Sequence, residues 1–264
     1  LFPPEYVQHG TPVIYDGRKI YLDKQSEEYA TLYSKYIETE YIKNKTFRKN
    51  FWNDWKKILG NRYPIKDIDK CDFSLIYNYY LKYSEQKKEE RKRNKEQIEK
   101  EEMKYKYAIV DGKEQPVGNF RVEPPGIFLG RGCNPKLGKI KRRIYPEDIT
   151  INIGKESPVP KPLEGHNWGE IVHDKTKEWL ASWKDDITGK YKYVWLGAHS
   201  EMRSKSDIEK FTLARKLKRK IKNIMKTNDE NLNSKNNKTK QISTAVDLIN
   251  KLILRVGNEK GEDQ

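Results

Sequence analysis

Cysteine is nearly absent: Cys71 and Cys133 are the two present, and neither has a second Cys or a His at metal-ligand spacing. That pattern argues against a disulfide scaffold and a structural zinc site, and for a reducing compartment. Histidine is also scarce. His9, His166, His173 and His199 sit in no GxSxG, HExxH or HxH surroundings, and no Walker loop is present. His166 and His173 bracket a Trp in GHNWGEIVHD and read as hydrogen-bonding or strand-capping groups rather than catalysts. No apolar run approaches the roughly 18 residues that a membrane helix needs. The opening LFPPEYVQHG lacks the basic-then-apolar layout of a secretory signal. It also lacks an initiator Met and reads as the middle of a longer protein.

What the sequence does have is cationic charge and aromatic rings. Lys and Arg total 54 against 39 Asp and Glu, a formal net charge of +15. A pI near 9.4 with clustered basic residues points to a polyanionic partner. Six Trp, 17 Tyr and seven Phe are too many for a disordered chain, so packed cores exist. The 264 residues suffice for one large or two smaller domains.

Spacing assigns the elements. Pro3, Pro4 and Pro12 keep the opening extended. Val13–Tyr15, Asp16-Gly17 and Lys19–Tyr21 predict a tight hairpin. From Ser26, with Glu27 and Glu28 behind it, apolar residues step at three and four through Tyr29, Tyr33, Tyr36 and Ile37, which predicts a helix. A second helix is predicted over Phe47–Leu59, stopped by Gly60. The aromatics at this spacing read most simply as core. Residues 81–105 are almost entirely charged or amide, with Ile98 and Met103 the apolar exceptions between Glu85 and Lys104. They form either a projecting helix held by side-chain pairs or a disordered charged linker.

From Tyr107 the pattern turns to strands: Tyr107–Val110 with a return over Val117–Val122, then Asp148–Ile153, Glu178–Trp183 and Tyr191–Leu196. Lys184–Lys190 reads as a hairpin loop and Pro158–Gly165 as a surface connection. After Ser200 a helix follows with a cationic outer side, then an Asn/Lys-rich loop over 227–239, then a second helix around Ile242–Ile253. No internal repeat is present.

Three runs carry candidate chemistry. PKLGKIKRR holds Lys136, Lys139, Lys141, Arg142 and Arg143 without an acid, after the glycine-punctuated Gly126–Gly132. Such cations suit phosphate contacts, although basic runs are usually solvated faces. In KYKYVWL, alternation sends Lys190, Lys192 and Val194 to one face of a strand and Tyr191, Tyr193 and Trp195 to the other, the aromatic face being the expected core side. In LRVGNEK, Arg255 ends an apolar helix before Gly-Asn, where a cation also complements the helix dipole.

Taken together the chain resembles the eukaryotic type IB DNA topoisomerases. EPPGIFLGRG, KRRIYPEDI, GHNWGEIVHD, KYVWL and LRVGNEK resemble that family in order and spacing, as do FRKNFWNDW and the CDFS at Cys71–Ser74. The resemblance implies an α+β fold, small mixed sheets and helices forming a DNA-embracing cap, with projecting charged helices and a C-terminal helical segment. It divides the chain into residues 1–10 and 81–200 as a first core subdomain, 11–80 as a second, and 201–264 as the start of a third, catalytic one. The implied reaction is transesterification through a 3′-phosphotyrosyl link, without metal, ATP or other cofactor. Arg255 is implied as a transition-state donor, with Val256 where many members have alanine. The nucleophilic Tyr and the other catalytic groups are expected beyond residue 264, so the chain alone is expected to be inactive.

DNA contacts are implied for Lys87, Arg131, Lys141, Trp179, Lys192, Tyr193, Arg203 and Lys210, and for Asn258 and Lys260 of LRVGNEK. Leu129 stands where many members have arginine. The implied partners are double-stranded DNA, the C-terminal remainder of the same protein and camptothecin-type compounds in the cleaved complex. The implied state is a monomer in the nucleus, serving replication and transcription. Charge alone leaves two rivals open: an RNA-binding module and a helical scaffold for protein partners.

Overall fold

The computed structural model describes residues 1–254, so Arg255, Asn258 and Lys260 lie outside the described residues. The chain is α+β and divides after Gly197 into two units.

The first unit opens with the expected hairpin. β1 (Val13–Tyr15) and β2 (Arg18–Ile20) flank Asp16-Gly17, whose φ values of 46° and 77° are the positive pair a tight turn requires. α1 (Lys24–Ser34) begins before Ser26, because Asp23 is the cap and accepts the Ser26 N–H at 2.8 Å. α2 (Lys45–Leu59) is capped by Asn44 and ends at Gly60 in the left-handed half of φ, at 58°. β3 (Cys71–Asp72) pairs with β1 to complete a three-stranded sheet in the order β2-β1-β3.

The charged stretch is helical. α3 (Ser74–Arg93) and α4 (Lys95–Lys106) meet at Asn94, and of the two helices only Ile76 of α3 is buried, in the main core. Pairs such as Arg93–Glu89, at 3.0 Å, support a helix that has no buried stripe past Leu81.

β4 (Tyr107–Val110) returns as β5 (Lys113–Pro116), not as Val117–Val122. The two-residue turn Asp111-Gly112 pairs Val110 directly with Lys113, and Val117 bridges to Leu196 instead. β6 (Gly126–Ile127) and β7 (Ile140–Lys141) form a small ribbon. β8 (Ile149–Asn152), β9 (Glu170–Val172), β10 (Trp179–Lys184) and β11 (Tyr191–Trp195) form a sheet in the order β11-β10-β8-β9. Its β8–β9 pair is parallel, and its β10–β11 hairpin is closed by the expected loop. Cys71 and Cys133 are free thiols.

In the second unit, α5 (Glu201–Leu232) runs six residues into the segment read as a loop, and α6 (Asn237–Leu252) begins inside it. Asn236 caps α6, and Asn228 on α5 donates to the Ser243 carbonyl of α6 at 3.1 Å, both side chains buried. Asn and Lys are tolerated in helices when the side chain caps or pairs, which is why composition misplaced this boundary. No helix among the described residues is long and apolar enough to cross a membrane.

The main core is aromatic. Tyr33 stacks on Phe51 at 4.1 Å, Phe51 on Trp55 at 5.7 Å, and Phe73 closes on Trp55 at 5.6 Å. Trp55 is fully buried yet polar at one edge, and its indole N–H donates to the Ser26 carbonyl at 3.1 Å. Each such ring stabilises the fold by about 2–3 kcal/mol through burial. The loop leading into β7 packs directly on α2: a Cβ on Gly138 would stand 2.2 Å from the Phe47 carbonyl oxygen. Asn50 of α2 donates to the Pro135 and Leu137 carbonyls at 2.7 and 2.8 Å. A second core of Ile149, Ile151, Trp183, Val194 and Val122 lines one face of the four-stranded sheet.

A buried carboxylate fixes the leading segment. Glu27 of α1 accepts the backbone N–H groups of His9 (2.7 Å) and Gly10 (2.9 Å) and the Tyr6 hydroxyl (3.0 Å). His9 Nδ1 accepts the Thr11 N–H at 2.9 Å, which places the ring proton on Nε2, facing Thr31 Oγ1 at 2.9 Å. Glu27 is the charged neighbour of that ring, Tyr6 and Tyr79 lie against its sides, and burial holds the imidazole below its ordinary pKa of 6.5.

Two outcomes follow from this network. Glu27→Ala orphans two backbone donors and a hydroxyl, and should lower unfolding stability by about 3 kcal/mol in urea. The folded state binds fewer protons than the unfolded chain below pH 6.5, so His9 removes stability as pH falls through that value. The urea midpoint should therefore drop from pH 7 to pH 5.5, and His9→Gln should flatten that slope; an unchanged slope would exclude His9 as its source.

Candidate nucleic-acid interface

The residues expected to contact a polyanion fall into groups that sequence order does not show. β7 carries Lys141 and β11 carries Lys192, and both ammonium groups meet one carboxylate, Glu123, in the loop that leads into β6. Lys141 reaches its Oε2 at 2.6 Å and Lys192 its Oε1 at 2.5 Å. Lys192 is held from a second side by Asp185 at 2.9 Å. Asp185 is fixed in turn by the turn it makes, accepting the Ile187 and Thr188 N–H groups at 3.0 and 2.8 Å. All four side chains are half-buried or buried.

Their electrostatics are mutually consistent. Burial opposes the Glu123 charge, but hydrogen bonds from Lys141 and Lys192 outweigh it and hold the carboxyl below its ordinary range. Burial likewise opposes Asp185, but the Thr188 N–H and Lys192 bring it to about 2. Burial disfavours the Lys192 ammonium, and the two carboxylates more than restore it, raising its pKa.

The other face of β11 is aromatic and outward. Tyr193 lies 5.9 Å from Trp179 and 5.1 Å from Trp195, with Tyr191 beyond it at 6.3 Å. Tyr191 is 60% exposed and Trp195 37%, while Val194 on the lysine side is buried. The aromatic side of KYKYVWL is thus the surface, not the core side that the alternation suggested. The core of this sheet is already filled by Trp183 and the isoleucines of β8. Lys192 and Tyr193, adjacent in sequence, point to opposite faces.

The basic run is less free than its composition implies. Arg142 binds Asp148 through both terminal nitrogens at 2.7 Å and also pairs with Asp186. Arg143 pairs with Glu28 at 2.7 Å and caps the Pro4 carbonyl at 2.9 Å. With Lys141 on Glu123, at least three of its five cations serve the fold. Arg131 is exposed in the loop between β6 and β7, and among the described residues its side chain forms no ion pair. His166 and His173 act as expected, binding Glu147 at 3.1 Å and the Ile153 carbonyl at 2.8 Å.

Lys87 on α3 pairs with Glu90 at 2.6 Å. In the second unit, Arg203 lies in the first turn of α5, its N–H capped by Ser200, and Lys210 pairs with Asp207 at 3.6 Å. Sequence reasoning missed Glu123 and Asp185. Glu123 opens the EPPGIFLGRG run, but a single acid in a loop gives no signal until its partners are placed.

Two family models together match nearly the whole chain. Residues 1–196 match a model described as eukaryotic DNA topoisomerase I, DNA binding fragment, and residues 199–264 one described as eukaryotic DNA topoisomerase I, catalytic core. DNA topoisomerase 1 beta of Arabidopsis thaliana is 48% identical, aligned over all of this chain and 29% of its own length. DNA topoisomerase 1 of Candidozyma auris is 44% identical over all of this chain and 37% of its own. DNA topoisomerase I, mitochondrial, of Homo sapiens is 39% identical over 99% of this chain and 45% of its own. The chain therefore spans between 29% and 45% of the length of these curated relatives.

A carboxyl-resolved NMR titration should place the Asp185 midpoint near 2, against an ordinary 3.8. The pairing contributes stability above the ordinary value and loses it as pH falls toward the depressed one. A midpoint at 3.8 would mean that Lys192 and the turn amides do not hold this carboxylate.

Proposed function

This chain belongs to the eukaryotic DNA topoisomerase I family, and we propose that it binds duplex DNA as the clamp portion of such an enzyme. The observation that carries the reading is the match of the DNA-binding model to residues 1–196 and of the catalytic-core model to residues 199–264. The net charge of +15 and the lysine pair on Glu123 agree with it.

In this reading residues 1–10 and 81–200 form one core subdomain, with the charged helices α3 and α4, and residues 11–80 a second. Residues 201–264 begin the catalytic subdomain. Arg131, Lys141 and Lys192 are DNA contacts, Tyr193 and Trp179 are further ones on the opposite face of β11 from Lys192, and Lys87, Arg203, Lys210, Asn258 and Lys260 complete the set. Because phosphates rather than base edges are engaged, duplex affinity carries little sequence code.

The chemistry is reversible transesterification. A tyrosine oxygen forms a bond to phosphorus as the bond to the 5′-oxygen breaks, leaving a 3′-phosphotyrosyl ester and a 5′-hydroxyl. The free strand swivels, the 5′-oxygen attacks in turn, and the tyrosine is released. The ester conserves the energy of the broken bond, so neither ATP nor a metal ion is needed. The phosphorane carries extra negative charge on its non-bridging oxygens, and the Arg255 guanidinium supplies fixed donors to them. None of the 17 tyrosines here matches the nucleophile, so these 264 residues alone neither cleave nor relax DNA. The nucleus, with replication and transcription, is the proposed setting, the protein acting as a monomer together with the C-terminal remainder of the same polypeptide. Camptothecin-type compounds are proposed to trap the nicked complex near Arg131.

Binding to a duplex of about 20 base pairs across a salt series tests the reading. Log K should fall with log[salt] at a slope of about −0.9 per phosphate engaged. Preference for an RNA duplex or for single strands would favour the rival RNA-binding module. The chain alone should leave supercoiled plasmid unrelaxed. Joined to the remaining catalytic sequence, Arg255→Ala should slow relaxation by about 100- to 1000-fold; relaxation by the chain alone would break the assignment of the nucleophile.

A further inference from the structure

We infer that Glu123 is a positioning residue for DNA binding, holding Lys141 and Lys192 at one point so that a backbone phosphate meets both. This rests on the duplex-binding reading above and names a group that the reading does not assign. Lys141 rides on the β6–β7 ribbon and Lys192 on the four-stranded sheet. Two ammonium groups from separate sheets repel as they converge, and a shared carboxylate reverses that preference. Glu123 accepts one from each, through different oxygens, at 2.6 and 2.5 Å. Asp185 steadies Lys192 from another side at 2.9 Å.

Donor inventory then favours a ligand. Each ammonium carries three N–H groups. Lys141 commits one to Glu123, and Lys192 commits one to Glu123 and one to Asp185, so three N–H groups remain. Both lysine side chains keep exposure, 25% for Lys141 and 31% for Lys192, so those donors can reach solvent. A phosphate oxygen accepting from this pair meets a charge-assisted site whose two cations are already in place. The alternative role for Glu123, mere neutralisation of surplus charge, predicts unchanged affinity when the carboxylate is shortened and tighter binding when its charge is removed.

Glu123→Asp keeps the net charge but withdraws the carboxylate by one bond of about 1.5 Å, too far to serve both lysines. It should weaken binding of the chain to the 20-base-pair duplex about three- to tenfold, as should Glu123→Gln. Lys192→Gln should then cost less in the Glu123→Asp background than alone, because the two residues act as one unit. Lys192→Arg, which keeps charge without altering the loop before β6, is an independent arm and should also weaken binding. Unchanged affinity in both Glu123→Asp and Lys192→Arg would overturn the inference. So would tighter binding by Glu123→Gln with a steeper salt slope. Failure of the unaltered chain to bind duplex would sink the underlying reading instead, and is visible before any variant is made.

Discussion

Cations on neighbouring elements repel unless an acid stands between them, and that constraint fixes how distant segments of the first unit meet around its aromatic cores. Lys141 and Lys192 approach because Glu123 is there to receive both. Arg142 is locked between Asp148 and Asp186, and Arg143 reaches across to Glu28 on α1 and to the Pro3 and Pro4 carbonyls. The same pairs join segments far apart in the chain. Residues 141–143 thus tie the leading segment, α1 and the four-stranded sheet to one stretch of backbone. Gly138 and Asn50 press that stretch onto α2.

A net charge of +15 is therefore not spread evenly over the chain's tasks. Paired cations define geometry, whereas the run Arg215, Lys216, Lys218, Arg219, Lys220 and Lys222 on α5 is fully exposed. Exposed charges act over about a Debye length, roughly 8–10 Å, and raise encounter rates with a polyanion. Charges already neutralised by carboxylates contribute little at that range. They act at contact distance, where direction and spacing matter.

Much of the fold was legible because its signals are local. Asp-Gly supplied two of the three hairpin turns, and three–four spacing of Tyr29, Tyr33, Phe51 and Trp55 marked α1 and α2, since each follows from the geometry of a few consecutive residues. What was missed depends on distant partners. β6 and β7 are two residues each and exist only through pairing with one another. The return strand was placed after Val117 because Lys113–Pro116 has little strand propensity, yet a two-residue turn dictates its register. The α5 boundary was lost because Asn228 looks like loop until Ser243 of α6 is beside it. The aromatic face of β11 was misread for a related reason: alternation separates two faces but does not say which one finds a core. The resemblance supplied the lysines of the interface; the carboxylate between them had no sequence signature.

The same logic explains how one short strand serves two purposes. Along β11, Lys192 and Val194 face inward, where a buried valine anchors the strand and two carboxylates restrain the lysine. Tyr191, Tyr193 and Trp195 face outward and support one another ring against ring. A free lysine that must be immobilised on binding loses about 1.5–2 kcal/mol of rotamer freedom. Lys192 has already given up much of that freedom in the fold, as have the rings that pack against one another. On the inference that this neutral lysine–carboxylate cluster takes a phosphate, it would attract one weakly from afar, with little ordering left to do on contact. In the proposed duplex-binding reading, long-range attraction and short-range fit thus reside in different residues.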